Sequence, residues 1–296
     1  MVGYERYKYV KYYDETGNLL LPSEALVNAR YTYVLGDDGK PSLREIMVCS
    51  LPKFNANGYG LLSDGRCKAG RRAEPSEAEN AAPPKSEWRS RHRAIVAIRD
   101  ILDCNVFEWF VTLTLDKEKV GSRYDYSEFI RHLRSYFSNG VQRRGWKYLA
   151  VPEFHKDGAL HLHAVVSGDL SAVYSGTVSV PDRKKPITEK YARRLGYSDN
   201  YMQPVYNLPN WHYGFSTAIR VYGDRKALRN YIAKYITKDS QKIGGRYYFS
   251  GGSLSRPVYE YGLLDFDSFK GHYEIHTDGG DFKVFYTDRE TPQKGD

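Results

Sequence analysis

Lys147-Tyr-Leu-Ala-Val-Pro-Glu-Phe-His-Lys-Asp-Gly-Ala-Leu-His-Leu-His-Ala-Val-Val166 is the stretch that decides the fold. Leu160, Leu162 and Ala164 alternate with His161 and His163, and His155-Lys-Asp-Gly158 supplies a turn, so the stretch reads as a β-hairpin with strands Lys147 to Phe154 and Ala159 to Val166. If the loop is Lys156 to Gly158, His155 pairs with Ala159 and Glu153 stands opposite His161, with Cβ atoms about 4.5–5.5 Å apart. His163 lies two residues on and shares that face, while the leucines enter the core. A two-residue Asp157-Gly158 turn would slip the register by one and send Glu153 to the wrong face.

One carboxylate and two imidazoles leave coordination positions open, which suits a catalytic divalent cation that polarises a phosphate better than a closed structural site. No fourth ligand is evident, and phosphate oxygens complete the shell of hard ions, so magnesium or manganese fits better than zinc. His155 can share the face and is a rival ligand. A His-x-His strand alone fits an incidental placement too; the opposing Glu153 is what distinguishes it.

Working outward, Trp109-Phe-Val-Thr-Leu-Thr-Leu115 is a strand with Val111, Leu113 and Leu115 on one face and Thr112 and Thr114 on the other. The threonines are either DNA contacts or plain β-formers. A helix is predicted from Tyr126 to about Arg143, ended by Gly140 or Gly145, with Phe129, Ile130, Leu133 and Phe137 at helical spacing. Another, capped by Ser86, runs to Leu102 with Ile95, Ile98 and Ile101 on one side; Arg89, Arg91 and Arg93 near its start can meet phosphate or form a solvated face. Residues 168 to about 214 read as an insertion with a basic helix around Thr188 to Leu195, followed by a strand Ser216 to Tyr222 and a helix from Asp224. The order β, α, β, β, insertion, β, α implies an α+β fold, a central antiparallel sheet of about five strands with packed helices.

The last helix carries Tyr231-Ile-Ala-Lys-Tyr-Ile-Thr-Lys238. At helical spacing Tyr231, Lys234, Tyr235 and Lys238 fall within an arc of roughly 100°, with Ile232, Ala233 and Ile236 on the other side. An ordinary amphipathic helix has this pattern too. The chemical use is direct, however: a phenol can attack a phosphodiester, leaving a 5′-phosphotyrosine and a free 3′-OH. With an ordinary pKa of about 10 the phenol needs a metal-polarised phosphate, a cation or a base.

Composition agrees with an anionic partner. The net charge is +8, and the 15% of aromatic residues, mostly tyrosine, suits single strands whose bases stack on flat rings, although most of the 27 tyrosines fit ordinary strand and core positions. Three widely spaced cysteines, Cys49, Cys67 and Cys104, support neither a disulfide framework nor a four-cysteine zinc site, which fits a reducing cytoplasm. There is no signal-peptide pattern and no apolar run of membrane-spanning length, so a soluble cytoplasmic protein with no membrane partner is expected.

Phe110-Val-Thr-Leu-Thr-Leu-Asp116, Glu153 with Gly158-Ala-Leu-His-Leu-His163, and Tyr231-Ile-Ala-Lys-Tyr-Ile-Thr-Lys238 occur in the order of three motifs of rolling-circle replication initiators. Over roughly residues 86 to 250 the chain resembles the HUH endonuclease superfamily, most closely the two-tyrosine replication proteins of small single-stranded DNA phages and related plasmids. The resemblance implies a ferredoxin/RRM-like sheet carrying the histidines, with Glu153, His161 and His163 as metal ligands. It implies Tyr231 and Tyr235 as nucleophiles with Lys234 and Lys238 beside them, although some relatives work with one Tyr-x-x-Lys unit, which Tyr231 and Lys234 also satisfy. Nicking of a single-stranded replication origin in a bacterial host cytoplasm, and release of a circle by a closing transfer, are then expected. The 296 residues contain no Gly-x-x-x-x-Gly-Lys-Ser/Thr loop, so a host helicase is the expected source of unwinding and a host polymerase of extension.

The predicted plan is an N-terminal region 1–67, a linker 68–85, the endonuclease domain 86–250 and a C-terminal extension 251–296. Two rival functions remain. A basic, aromatic module can hold single strands without cutting them, and a transposase or relaxase would apply the same chemistry to another DNA target.

Overall fold

The computed structural model describes residues 26–36, 38–51, 54–55, 85–122, 124–154, 158–221, 228, 232, 242–277 and 280–287. The chain divides into two compact units, one of residues 82–255 and one of residues 1–81 with 256–296. Most of the predicted linker 68–85 lies outside the described residues.

In the first of these units, helices α1 (Lys85–Cys104), α2 (Tyr126–Arg144) and α3 (Glu189–Arg194) accompany an eight-stranded antiparallel sheet. Its strands are β5 (Trp109–Leu115), β6 (Lys147–Phe154), β7 (Leu160–Ser167), β8 (Val173–Ser179), β9 (Ile187–Thr188), β10 (Gln203–Asn207), β11 (Gly214–Arg220) and β12 (Phe249–Gly251), in the order β12-β6-β7-β5-β11-β10-β8-β9. The α+β class is as expected, but a sheet of about five strands is not. The insertion is no excursion: β10 pairs with β11 and β8 with β10, which carries the sheet three strands past β11. The last core strand begins at Gly214 rather than Ser216, because β11 stays in register with β5 from Leu115 to Trp109.

The two sheet faces have different partners. Val111, Leu113, Leu115, Leu160, Leu162 and Ala164 face α2, which buries Phe129, Ile130, Leu133 and Phe137 against them. Helix α2 begins where the Asp125 carboxylate accepts bonds from the Ser127 and Glu128 amides at 2.9 and 3.1 Å. It ends at Gly145, whose φ of 66° lets its amide and that of Trp146 return to Val141 and Gly140 carbonyls. On the opposite face α1 lays Ile98, Ile101 and Leu102 over Phe110, Leu149, Val151 and Val165. Pro152 lies beyond the last pairing of β6 with β12, where among the described residues β6 has a neighbour on one side only, the edge setting in which a strand tolerates proline.

The second unit holds a short pair, β1 (Leu26–Val27) with β4 (Phe54–Asn55), and a five-stranded antiparallel sheet. That sheet is ordered β13-β2-β3-β15-β14, from β2 (Ala29–Leu35), β3 (Pro41–Cys49), β13 (Val258–Gly262), β14 (Tyr273–Ile275) and β15 (Phe282–Tyr286). The N- and C-terminal flanks thus share one sheet. Asn28 fastens them, donating to the carbonyls of Cys49 and Leu264 at 3.2 and 2.7 Å and accepting from the Leu264 amide at 2.9 Å. Among the described residues no helix is long and apolar enough to cross a membrane.

Gly140 gives a test of the packing under α2. An alanine inside an open helix gains up to about 1 kcal/mol over glycine. Here a Cβ would overlap the Trp146 ring, which is itself held by a 2.7 Å bond from Nε1 to the Asp169 carbonyl. Gly140→Ala should therefore destabilise the protein by about 1–3 kcal/mol, read as a lower denaturant midpoint. An unchanged or raised midpoint would show that Trp146 moves aside freely.

Candidate active site

The antiparallel register arranges the α1-side face into rows running across β11, β5, β7 and β6. Ile219, Phe110, Val165 and Leu149 form an apolar row; next come Thr217, Thr112, His163 and Val151; then Phe215, Thr114, His161 and Glu153. The Glu153–His161 pairing is the one the three-residue loop predicts. His155, the rival ligand, lies outside the described residues.

Two threonines hold the two histidines. Thr112 Oγ1 lies 3.3 Å from His163 Nδ1, and Thr114 Oγ1 lies 3.0 Å from His161 Nδ1. A partner on one ring nitrogen fixes the tautomer and orientation of the other, the usual support of a metal-binding imidazole. At His161, when Nδ1–H donates to the Thr114 hydroxyl, Nε2 carries the lone pair; at His163, Nε2–H donates to Glu153, so in the neutral ring Nδ1 accepts from the Thr112 hydroxyl. The Glu153 carboxylate reaches diagonally past His161 to His163, with Oε2 2.7 Å from Nε2.

His163 is 8% exposed and its ring stacks on Phe110 at 5.8 Å between centroids. Burial pushes its pKa below the ordinary histidine value, opposed by the hydrogen bond and the charge of Glu153. Burial therefore favours the neutral imidazole, the form that coordinates metal. Glu153, His161 and His163 have the donor chemistry of an open divalent site, one carboxylate and two imidazoles on adjoining rows. Among the described residues they do not form a ready-made cluster of three ligands.

The remaining sequence candidates divide. Arg91 is half-buried and Arg93 exposed on the first turns of α1, and the Arg89 side chain lies outside the described residues. Tyr231, Lys234, Tyr235 and Lys238 also lie outside them. Their neighbours in sequence Leu228 and Ile232 are helical, one turn apart, and pack into the cluster of Phe110, Val151 and Val165. Ile232 is fully buried there, on the sheet face that carries the histidines.

Residues 108–240 match a family model described as a replication-associated protein of the ORF2 kind. That match supports a role in DNA replication. It spans β5 through β11, and with them both threonines, both histidines, Glu153 and the two tyrosines, but less than half of the chain. No curated protein and no solved structure matches the chain.

Thr112 and Thr114 enter the sequence reading only as DNA contacts or β-formers, whereas the structure makes them the supports of the imidazoles. The available signal was the shared period of Thr-x-Thr and His-x-His. What the sequence lacked was the pairing of β5 with β7.

His163 yields a pH prediction with a definite sign. Its folded-state pKa is lowered, so its contribution to stability is present above the unfolded value of about 6.5 and lost as pH falls below it. Glu153 opposes the shift, so Glu153→Gln should move the His163 titration midpoint lower still, followed by NMR of the ring protons. A midpoint that rises would show that Glu153 does not stabilise the imidazolium.

Proposed function

We propose that this protein is a metal-dependent DNA endonuclease and strand transferase that nicks a single-stranded origin and rejoins strands in rolling-circle replication. One observation carries the reading: Glu153, His161 and His163, two of them braced by threonines, occupy adjoining rows of one sheet face inside the stretch that matches a replication-associated family. Tyr231 and Tyr235 follow within the same matched stretch.

In this reading the phenolic oxygen of Tyr231 or Tyr235 attacks a DNA phosphorus. A tyrosyl P–O bond forms as the bond to the 3′ oxygen breaks; the phenol loses its proton and the departing oxygen gains one, leaving a 3′-OH. One phosphoester replaces another, so a later 3′-OH can reverse the exchange and join strands. Lys234 and Lys238 supply positive charge, which favours the phenolate over the phenol. Glu153, His161 and His163 would hold a divalent cation, which would supply polarisation of the phosphate. Thr112 and Thr114 keep the imidazoles aimed, and the apolar row beneath α1 excludes water from one side of His163, which strengthens charge interactions there. Single-stranded origin DNA is the substrate, and a host helicase and polymerase supply unwinding and extension.

Incubation with candidate origin oligonucleotides and manganese should give a denaturant-resistant protein–DNA adduct that maps to Tyr231 or Tyr235 and is absent with EDTA. Tyr231→Phe/Tyr235→Phe should abolish it; an adduct that persists in the double variant would assign the nucleophile elsewhere. Salt-sensitive single-strand binding with no adduct under any condition would favour the non-cutting module.

Loss of both threonine partners should weaken the metal site without removing a ligand. Thr112→Val/Thr114→Val is expected to raise the manganese concentration needed for half-maximal adduct formation by about 10–100-fold. An unchanged requirement would show that the hydroxyls do not orient the imidazoles.

A further inference from the structure

The row that holds Glu153 and His161 continues onto β11. Phe215 pairs with Thr114, Thr114 with His161 and His161 with Glu153, so the four side chains stand in line on one face. With neighbouring strands about 4.8 Å apart, Phe215 stands about 10 Å from His161. It is 67% exposed, more than any other large apolar side chain among the described residues. Thr217, two residues along the same face, is also exposed, whereas Ala218 on the opposite face is fully buried.

A single exposed apolar residue is ordinary on a protein surface. Phe215 is set apart by its alignment with the candidate ligands and by its chemistry. Its row neighbour on the candidate site's side is the polar Thr114, and the flanking position on its strand is Thr217. A ring that, among the described residues, stands between hydroxyls suits one flat partner with a polar edge rather than a broad apolar protein surface. A nucleobase is such a partner, because every base has a face that stacks on an aromatic ring.

We propose that Phe215 is a stacking platform for a base of single-stranded DNA close to the reacting phosphate, a positioning residue that fixes where the strand lies relative to Glu153, His161 and His163. The proposal rests on the nicking reading and adds to it a direction: the strand crosses the sheet from β6 towards β11. Stacking on a ring tolerates any base, so Phe215 sets position and not sequence.

The test is single-strand binding in EDTA, by fluorescence anisotropy, for the wild type, Phe215→Ala and Phe215→Trp. The oligonucleotide is the one cleaved in the adduct assay, intact or with an abasic site walked through the positions flanking the nick. Phe215→Ala should bind about tenfold more weakly and Phe215→Trp about as well as wild type. At one position the abasic site should weaken the wild type by a similar factor and leave Phe215→Ala unaffected, a coincidence that a merely structural role would not produce. Because the side chain is exposed, the thermal midpoint of Phe215→Ala should equal that of the wild type. Equal affinity of Phe215→Ala and wild type, or the same abasic penalty in both, overturns the platform while leaving the nicking reading intact. A wild type that neither binds nor nicks single-stranded DNA overturns both.

Discussion

The pairing of β6 with β7 in the register that sets Glu153 against His161 is the constraint on which the rest depends. Side chains alternate faces with every residue, so a slip by one would turn His161 and His163 into the space now filled by Leu160 and Leu162. It would also strip the α2 side of fully buried leucines. Core and chemistry therefore enforce one another: the hydrophobic burial that stabilises the sheet is the same choice that assembles the candidate ligands.

Local signals were legible and distant pairings were not. The helix from Tyr126 with a glycine stop at Gly140 or Gly145, the basic helix around Thr188 to Leu195 and the alternation of β5 all follow from residues within a turn or two of one another. So does the hairpin. The neighbours that β5 acquires in the sheet do not, because nothing in Thr112-Leu-Thr114 names His161 and His163 as cross-strand partners. Strands β8 and β10 were hidden for a different reason. Residues Val173–Ser179 bury only Val178, and the pattern gives no clear face to read, so their place in the sheet comes from backbone pairing with an existing edge. Phe215 is hidden for a related cause, since a strand starting at Ser216 leaves it in a loop. The tyrosine motif rests on helical spacing and on the family resemblance, and of that segment only Leu228 and Ile232 are described.

The site face also grades from dry to wet over three rows. Phe110, Val165 and Leu149 lie beneath α1; His163 is the next residue out and nearly buried; His161 and Glu153 are more open. Burial thereby favours the neutral form of this imidazole, while the carboxylate that faces it stays near water. In the proposed reading, candidate ligands on both sides of that boundary would combine a low-dielectric wall, where charge interactions are strong, with an approach for a highly charged strand.

The five-stranded sheet has a consequence of its own. Ala29 pairs with Gly262 and Glu45 with Tyr286, so this small sheet closes only when segments separated by more than two hundred residues meet. The eight-stranded unit, by contrast, is one continuous run of chain, complete by residue 255. During synthesis that inner unit can fold while the strands that complete the outer one are still being made, and the cost of the outer closure falls once the intervening chain is compact. Chain order thus lets the inner unit fold first and the outer sheet close last. Until β13 and β15 emerge, β2 and β3 each lack a neighbour, and for that interval their unpaired edges are open to pairing with the wrong chain.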